Sequence, residues 1–119
     1  MPLIQVDLRR ELFDSSHEEI SRALQSAGEE ALGTPSDDLF QVFRPRDEGE
    51  LKFDPTYNDV DRRDMVLIQV LAVHMHSVAA KHSFFRAVVD RLGKVGIRPA
   101  DIHIALAENG FEDWYAGRI

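Results

Sequence analysis

Apolar positions set the first reading. Residues 3–8 alternate and are rich in branched side chains, which predicts a strand. Ser15 and Ser16 each precede a Glu by three positions, so either pair forms a capping box and predicts a helix start there. Ile20, Ala23, Leu24, Ala27 and Ala31 then recur at helical spacing, with Gly33 as the C-cap. Residues 39–43 predict a second strand, and 44–64 a polar excursion in which Leu51, Lys52 and Phe53 form a short extra strand. The most apolar run, 65–73, reads as a buried strand. Ser77 caps a second helix whose buried stripe is Phe84, Phe85, Val88, Val89 and Leu92, ending at Gly93 and Gly96. A last strand covers 101–107, and 108–119 is a tail.

The order is strand–helix–strand, twice. Leu3-Ile4-Gln5-Val6 returns as Leu67-Ile68-Gln69-Val70, an offset of 67 − 3 = 64. At the same offset Arg22-Ala23 matches Arg86-Ala87, Pro35 matches Pro99 and Asp37 matches Asp101. Matches in one register across strand, helix and turn mark an internal repeat with halves of about 1–64 and 65–119. The expected fold class is α/β (α+β): one domain, 1–119, made of a duplicated βαβ unit with a four-stranded sheet and two helices on one face. The other sheet face still carries alternating apolar residues, so a second subunit is expected to cover it.

Composition narrows the function. The 119 residues hold 14 Lys and Arg against 21 Asp and Glu, a net charge of −7, which disfavours nucleic-acid binding. There is no Cys, so disulfides, thiolate metal sites and cysteine nucleophiles are excluded. No run is long and apolar enough for a membrane span, and the first residues lack the basic flank and apolar stretch of a signal peptide; a cytoplasmic protein is expected. A Gly-rich phosphate loop and a Gly-x-Ser-x-Gly elbow are both missing.

Four places carry candidate chemistry. Pro2 follows the initiator Met, whose removal would leave a secondary amine at a strand start; burial and a nearby cation would keep that amine neutral and basic, although Met-Pro starts are often without consequence. His74 and His76 sit at i and i+2 and share one strand face. They bind a carboxylate or polarise a carbonyl, or ligate a metal with His103 or Glu108 as a third ligand, or simply end a strand. Asp37 has an acidic repeat mate and reads as structural, whereas Asp38 is paired with Ile102 and is the better functional candidate. Arg44, Arg46, Arg62 and Arg63 lie in or beside the excursion, by default solvated, and Trp114-Tyr115 reads as a lid or subunit contact.

These residues resemble the tautomerase superfamily, and most closely its malonate semialdehyde decarboxylase group, over nearly the whole length. The resemblance rests on Pro2-Leu3 leading to Asp7-Leu8, on Gly33-Thr34-Pro35-Ser36-Asp37-Asp38-Leu39-Phe40-Gln41, and on Val66-Leu67-Ile68-Gln69-Val70 before a strand-end pair. The tail Glu108-Asn109-Gly110-Phe111-Glu112-Asp113-Trp114 with Gly117-Arg118 is its most specific part. It implies a tautomerase-like fold and a homotrimer, with an active site around each N-terminal proline near a subunit boundary. It implies an isomerase or carbon–carbon lyase acting on a small oxo acid without a cofactor. Pro2 would be the catalytic group and Asp38 would assist through water. The family's Arg-x-Arg pair, which holds the substrate carboxylate, falls here on His74 and His76, a weaker anion fork than guanidinium. Trp114, Arg62 and Arg63 are the further substrate-binding candidates, and one of Arg44, Arg46, Arg62 or Arg63, from this or a neighbouring subunit, would supply the missing charge. The contrasting reading is a non-catalytic or metal-dependent trimer that has lost the Arg pair.

Overall fold

The structure, a computed structural model, describes residues 2–73 and 76–119. Strand β1, Leu3–Arg9, runs straight into helix α1, Arg10–Leu32, and β2, Gln41–Arg46, follows. After the excursion come β3, Val66–Val73, helix α2, Val78–Val95, and β4, Ile102–Asn109. The strand order is β2-β1-β3-β4, with β1 parallel to β2, β3 parallel to β4, and the two halves joined antiparallel along β1 and β3. Gln5 pairs directly with its repeat mate Gln69, so the local twofold axis of the duplication passes between them.

Both helices cover one sheet face. Ile4, Val6 and Leu8 of β1 and Ile68 and Val70 of β3 meet Ile20, Leu24 and Ala27 of α1 and Phe84, Val88 and Leu92 of α2 in a single core. The duplicated fold expected from the repeat is therefore the one observed. The opposite face is uncovered in the single chain: Leu3, Gln5, Gln69, Leu71, Ala105 and Ala107 line a hollow of about 290 Å³ on it. Beside that hollow, buried Asp7 accepts from Arg44 Nε at 3.1 Å and Arg46 Nε at 2.9 Å, so two excursion arginines belong to the sheet. Among the described residues no helix is long and apolar enough to cross a membrane.

Several boundaries differ from the sequence reading. Helix α1 starts at Arg10 rather than at the serines. Leu12 and Phe13 pack against the core and continue the apolar stripe toward the N-terminus, so burial extends the helix past its predicted cap. Ser15 Oγ instead donates to the Leu12 carbonyl at 3.2 Å, the back-bond of a serine inside a helix. Strand β2 is shifted toward Arg46, because Arg44 and Arg46 bond across to Asp7; Pro45 is tolerated since β2 is an edge strand. Residues 51–53 form no strand, and β4 begins after a 3₁₀ turn at Pro99–Asp101. Ser77 does cap α2, its hydroxyl accepting from Ala80 N–H at 3.0 Å.

Candidate active site

Pro2 is buried at the entrance to β1. The antiparallel register carries β3 past it, and α1 ends beside it, because Gly33 at φ 68° turns the chain out of the helix in a left-handed conformation suited to glycine. The result is a cavity of about 140 Å³. Its walls are Pro2, Leu32, Thr34 and Pro35 on one side, and Ala72, Val73, His76 and Phe111 on the other. Thr34 is held by its N–H on the Gly28 carbonyl at 3.2 Å, and a Cβ on Gly28 would come within 3.3 Å of the Thr34 hydroxyl. Apart from the Thr34 and His76 side chains the lining is apolar, the kind of surrounding in which an amine favours its neutral form.

His76 is fixed at both ring nitrogens. Nδ1 lies 3.3 Å from Glu108 Oε2, and Nε2 lies 3.3 Å from the Leu32 carbonyl, the last residue of α1. Both neighbours are hydrogen-bond acceptors, so the ring is held between β4 and the end of α1. Glu108 also pairs with Lys81 on α2. The Lys81 ammonium bonded to it, with help from His76, lowers the Glu108 carboxyl from 4.5 to about 2. Parallel pairing of Ala72 with Glu108 is what carries this carboxylate to the end of β3.

The other expected residues divide by position. His74 and Met1 lie outside the described residues. Asp38 stands in the turn after α1: its N–H donates to the Pro35 carbonyl at 3.0 Å and its carbonyl accepts from Gln25 Nε2 at 3.3 Å. It borders the Pro35 wall but is not part of the cavity lining. Trp114 is likewise outside the lining; its indole donates to Asn109 Oδ1 at 2.6 Å and closes the turn that carries Phe111 to the cavity. Arg62 and Arg63 sit before β3, at the opposite end of that strand from Pro2. Arg63 forks onto Asp61, at 2.9 and 2.6 Å. Of the metal ligands weighed with His76, Glu108 meets it as an ion-pair partner, while His103 stands at the start of β4, away from it. Among the described residues no group of three His, Cys, Asp or Glu is placed to hold a metal ion. Lys81 was missed in the sequence, and Thr34 and Phe111 were signalled only as members of the motifs that carry the resemblance.

Comparison with known proteins agrees with this arrangement. The family described as "Tautomerase enzyme" matches residues 38–117. The probable tautomerase YusQ of Bacillus subtilis (strain 168) is 31% identical over 119 residues, covering 98% of this chain and 94% of its own. Among solved structures, a malonate semialdehyde decarboxylase described with decarboxylase and hydratase activities superposes with a TM-score of 0.88 at 28% identity, covering 98% of this chain and 91% of that one. The FG41 malonate semialdehyde decarboxylase inhibited by 3-bromopropiolate gives 0.86 at 28% identity, covering 97% and 88%. A fused 4-OT symmetric trimer shares the fold at 0.80 and 16% identity, covering 97% and 91%. With a duplicated βαβ sheet, a buried proline opening its first strand, and these relatives along its length, the chain belongs to the tautomerase superfamily, in the malonate semialdehyde decarboxylase-like group.

Proposed function

We propose that the chain is a homotrimeric enzyme in which Pro2, exposed by removal of Met1, moves protons on a short oxo acid. The carrying observation is that Pro2 and His76 wall one small, largely apolar cavity. In keto–enol exchange the neutral amine takes the enol O–H proton as the carbonyl forms, and the resulting ammonium returns that proton to the neighbouring carbon. In decarboxylation of a 3-oxo acid the ammonium hydrogen-bonds the 3-carbonyl, the bond between the carboxylate and C2 breaks to release carbon dioxide, and the ammonium protonates the resulting enolate at C2. Asp38 orients water for hydration-type chemistry. His76, with His74, faces the anionic end of the substrate, Trp114 contributes to binding it, and Arg62 and Arg63 act from a neighbouring copy. The uncovered sheet face supports the assembly, as do the 4-OT relatives described as trimers.

Tautomerisation is the first reaction to test, because a histidine ring offers no bidentate fork for a carboxylate that must leave. The assay is phenylenolpyruvate ketonisation on protein whose intact mass shows Met1 removed, with light scattering for the trimer. Full activity in Pro2→Ala, or a monomer at micromolar concentration, would overturn the reading.

A further inference from the structure

Behind the Pro2 cavity stands a chain of three side chains. Lys81, in the first turn of α2, pairs with Glu108 Oε1, and His76 Nδ1 lies 3.3 Å from Glu108 Oε2. The His76 N–H bonds the same carboxylate. His76 in turn walls the cavity, and among the described residues of that lining there is no Lys, Arg, Asp or Glu. Glu108 belongs to the helix side of the sheet, since Ile104 and Leu106, at even spacing from it on β4, pack against the core. The chain therefore lies beside the end of α1 and the start of α2, away from the uncovered sheet face, and does not depend on what covers that face.

This arrangement sets a charge problem for an anionic substrate. The Glu108 side chain is only 10% exposed, and the Lys81 ammonium bonded to it keeps it ionised down to about pH 2. Pairing of Ala72 with Glu108 in the parallel ladder fixes that charge next to a cavity wall. Both ring nitrogens of His76 already face acceptors of the protein, Glu108 and the Leu32 carbonyl. What the ring offers an anion in the cavity thus depends on the charge that stands one ring's width behind it. A bare carboxylate there repels a carboxylate substrate through a poorly hydrated wall. With the ammonium in place the pair is neutral as a unit, and its field at the cavity falls to that of a dipole.

We propose that Lys81 is a specificity-determining residue of the Pro2 site: by neutralising Glu108 behind His76 it admits a monocarboxylate to the cavity without touching the substrate. The inference rests on the Pro2 cavity being the substrate site, but not on the chemistry of Pro2. Phenylacetate is an unreactive anion, and phenylacetamide is its uncharged match. Titrated into ¹⁵N-labelled protein, both should shift the Ala72 and Val73 amide resonances to saturation, since both residues wall the cavity. Lys81→Met should weaken phenylacetate about tenfold, the effect of one unit charge at this range, and change phenylacetamide less than about twofold. Lys81→Arg keeps the charge and should stay close to wild type. Lys81→Met combined with Glu108→Gln removes both charges and should recover most of the lost affinity. If the pair merely braced the fold, acid and amide would weaken together in Lys81→Met, and the double variant would bind no better than the single one. Either result would overturn the inference, as would Ala72 and Val73 amides that stay still when phenylacetate is added to wild type. Binding is read without turnover, so a chain that shows the expected pattern yet fails to ketonise phenylenolpyruvate would refute the chemistry at Pro2 and still support the role of Lys81.

Discussion

Asn109→Ala isolates the turn that brings Phe111 to Pro2. Asn109 ends β4, and its Oδ1 accepts from Trp114 Nε1 at 2.6 Å, while Gly110 N–H bonds Asp113 Oδ2 at 2.9 Å inside the same turn. Trp114 is half-buried, so after the substitution its indole N–H regains water. The cost to stability is then that of one neutral hydrogen bond, about 1 kcal/mol, or about 4 °C in Tm for a chain of this size. The larger effect is on the site. Without the clasp Phe111 no longer closes the cavity, and about 1 kcal/mol of apolar contact made equally in ground and transition states is lost. That raises KM about fivefold and leaves kcat unchanged. Trp114 is the single Trp in the chain, so its emission reports the clasp directly and should shift red in the variant. Asn109→Asp keeps an acceptor oxygen and should restore both the emission and KM. Unchanged Trp emission together with unchanged KM in Asn109→Ala would show that the bond does not seat Phe111.

Pro2→Ala, like protein retaining Met1, should lose about 10²- to 10⁴-fold in kcat/KM on phenylenolpyruvate, the usual share of a general acid–base group. Glu108 ionises near 2 in the folded chain against an ordinary 4.5, so its contribution is complete above about pH 4.5 and fades as pH falls toward 2. Glu108→Gln should therefore have a lower urea midpoint than wild type at neutral pH and a flatter decline between pH 4.5 and 2. Asp101 is buried and accepts from Arg63 N–H at 2.8 Å and Asp64 N–H at 3.1 Å, whereas its repeat mate Asp37 is exposed in a turn. Asp101→Ala strands two backbone donors and should cost about 2–5 kcal/mol in denaturant unfolding, against less than about 0.5 kcal/mol for Asp37→Ala.

The repeated Leu-Ile-Gln-Val made the central strands legible, because a buried β pair needs the same apolar alternation in both copies; it even marks the axis, which falls at Gln5 and Gln69. The start of α1 was not legible, since a capping signal at Ser15 and Ser16 is local whereas the burial of Leu12 and Phe13 is tertiary. The end of β2 was hidden for the same reason: Arg44 and Arg46 look like loop charges until Asp7, 37 and 39 residues earlier, is seen to collect them. At the site, Pro2 and His76 were legible as chemistry-bearing residue types, and the family resemblance suggested their meeting. The Lys81–Glu108–His76 chain was not, because it draws on α2, β4 and the end of β3 at once. No spacing within one element announces such a set. Arg62 was read as a charge for the substrate; its immobilisation by two carbonyls belongs to the loop fold and had no signature in the sequence.

The duplication explains why only one end of this sheet carries a proline site. Under the offset of 64, Pro2 corresponds to Val66, which is 1% exposed and follows Met65 at 7%. A residue inside the chain has an amide nitrogen, which is neither basic nor a proton donor near neutral pH, so the second copy was never able to present an amine. Its position was free to become core, and Val66 joins Ile68 and Val70 beneath the helices. The partners diverged in step. His76 corresponds to Leu12 (76 − 64), which packs against the core, and Glu108, paired with Ala72, stands where Pro45 pairs with Leu8 (72 − 64) in the first copy. Thus His76 and Glu108 at one end have apolar positions as their counterparts at the other. A symmetric scaffold positions both ends, and in the proposed function the chemistry belongs to the end where removal of Met1 would expose a titratable nitrogen, beside which His76, Glu108 and Lys81 are gathered.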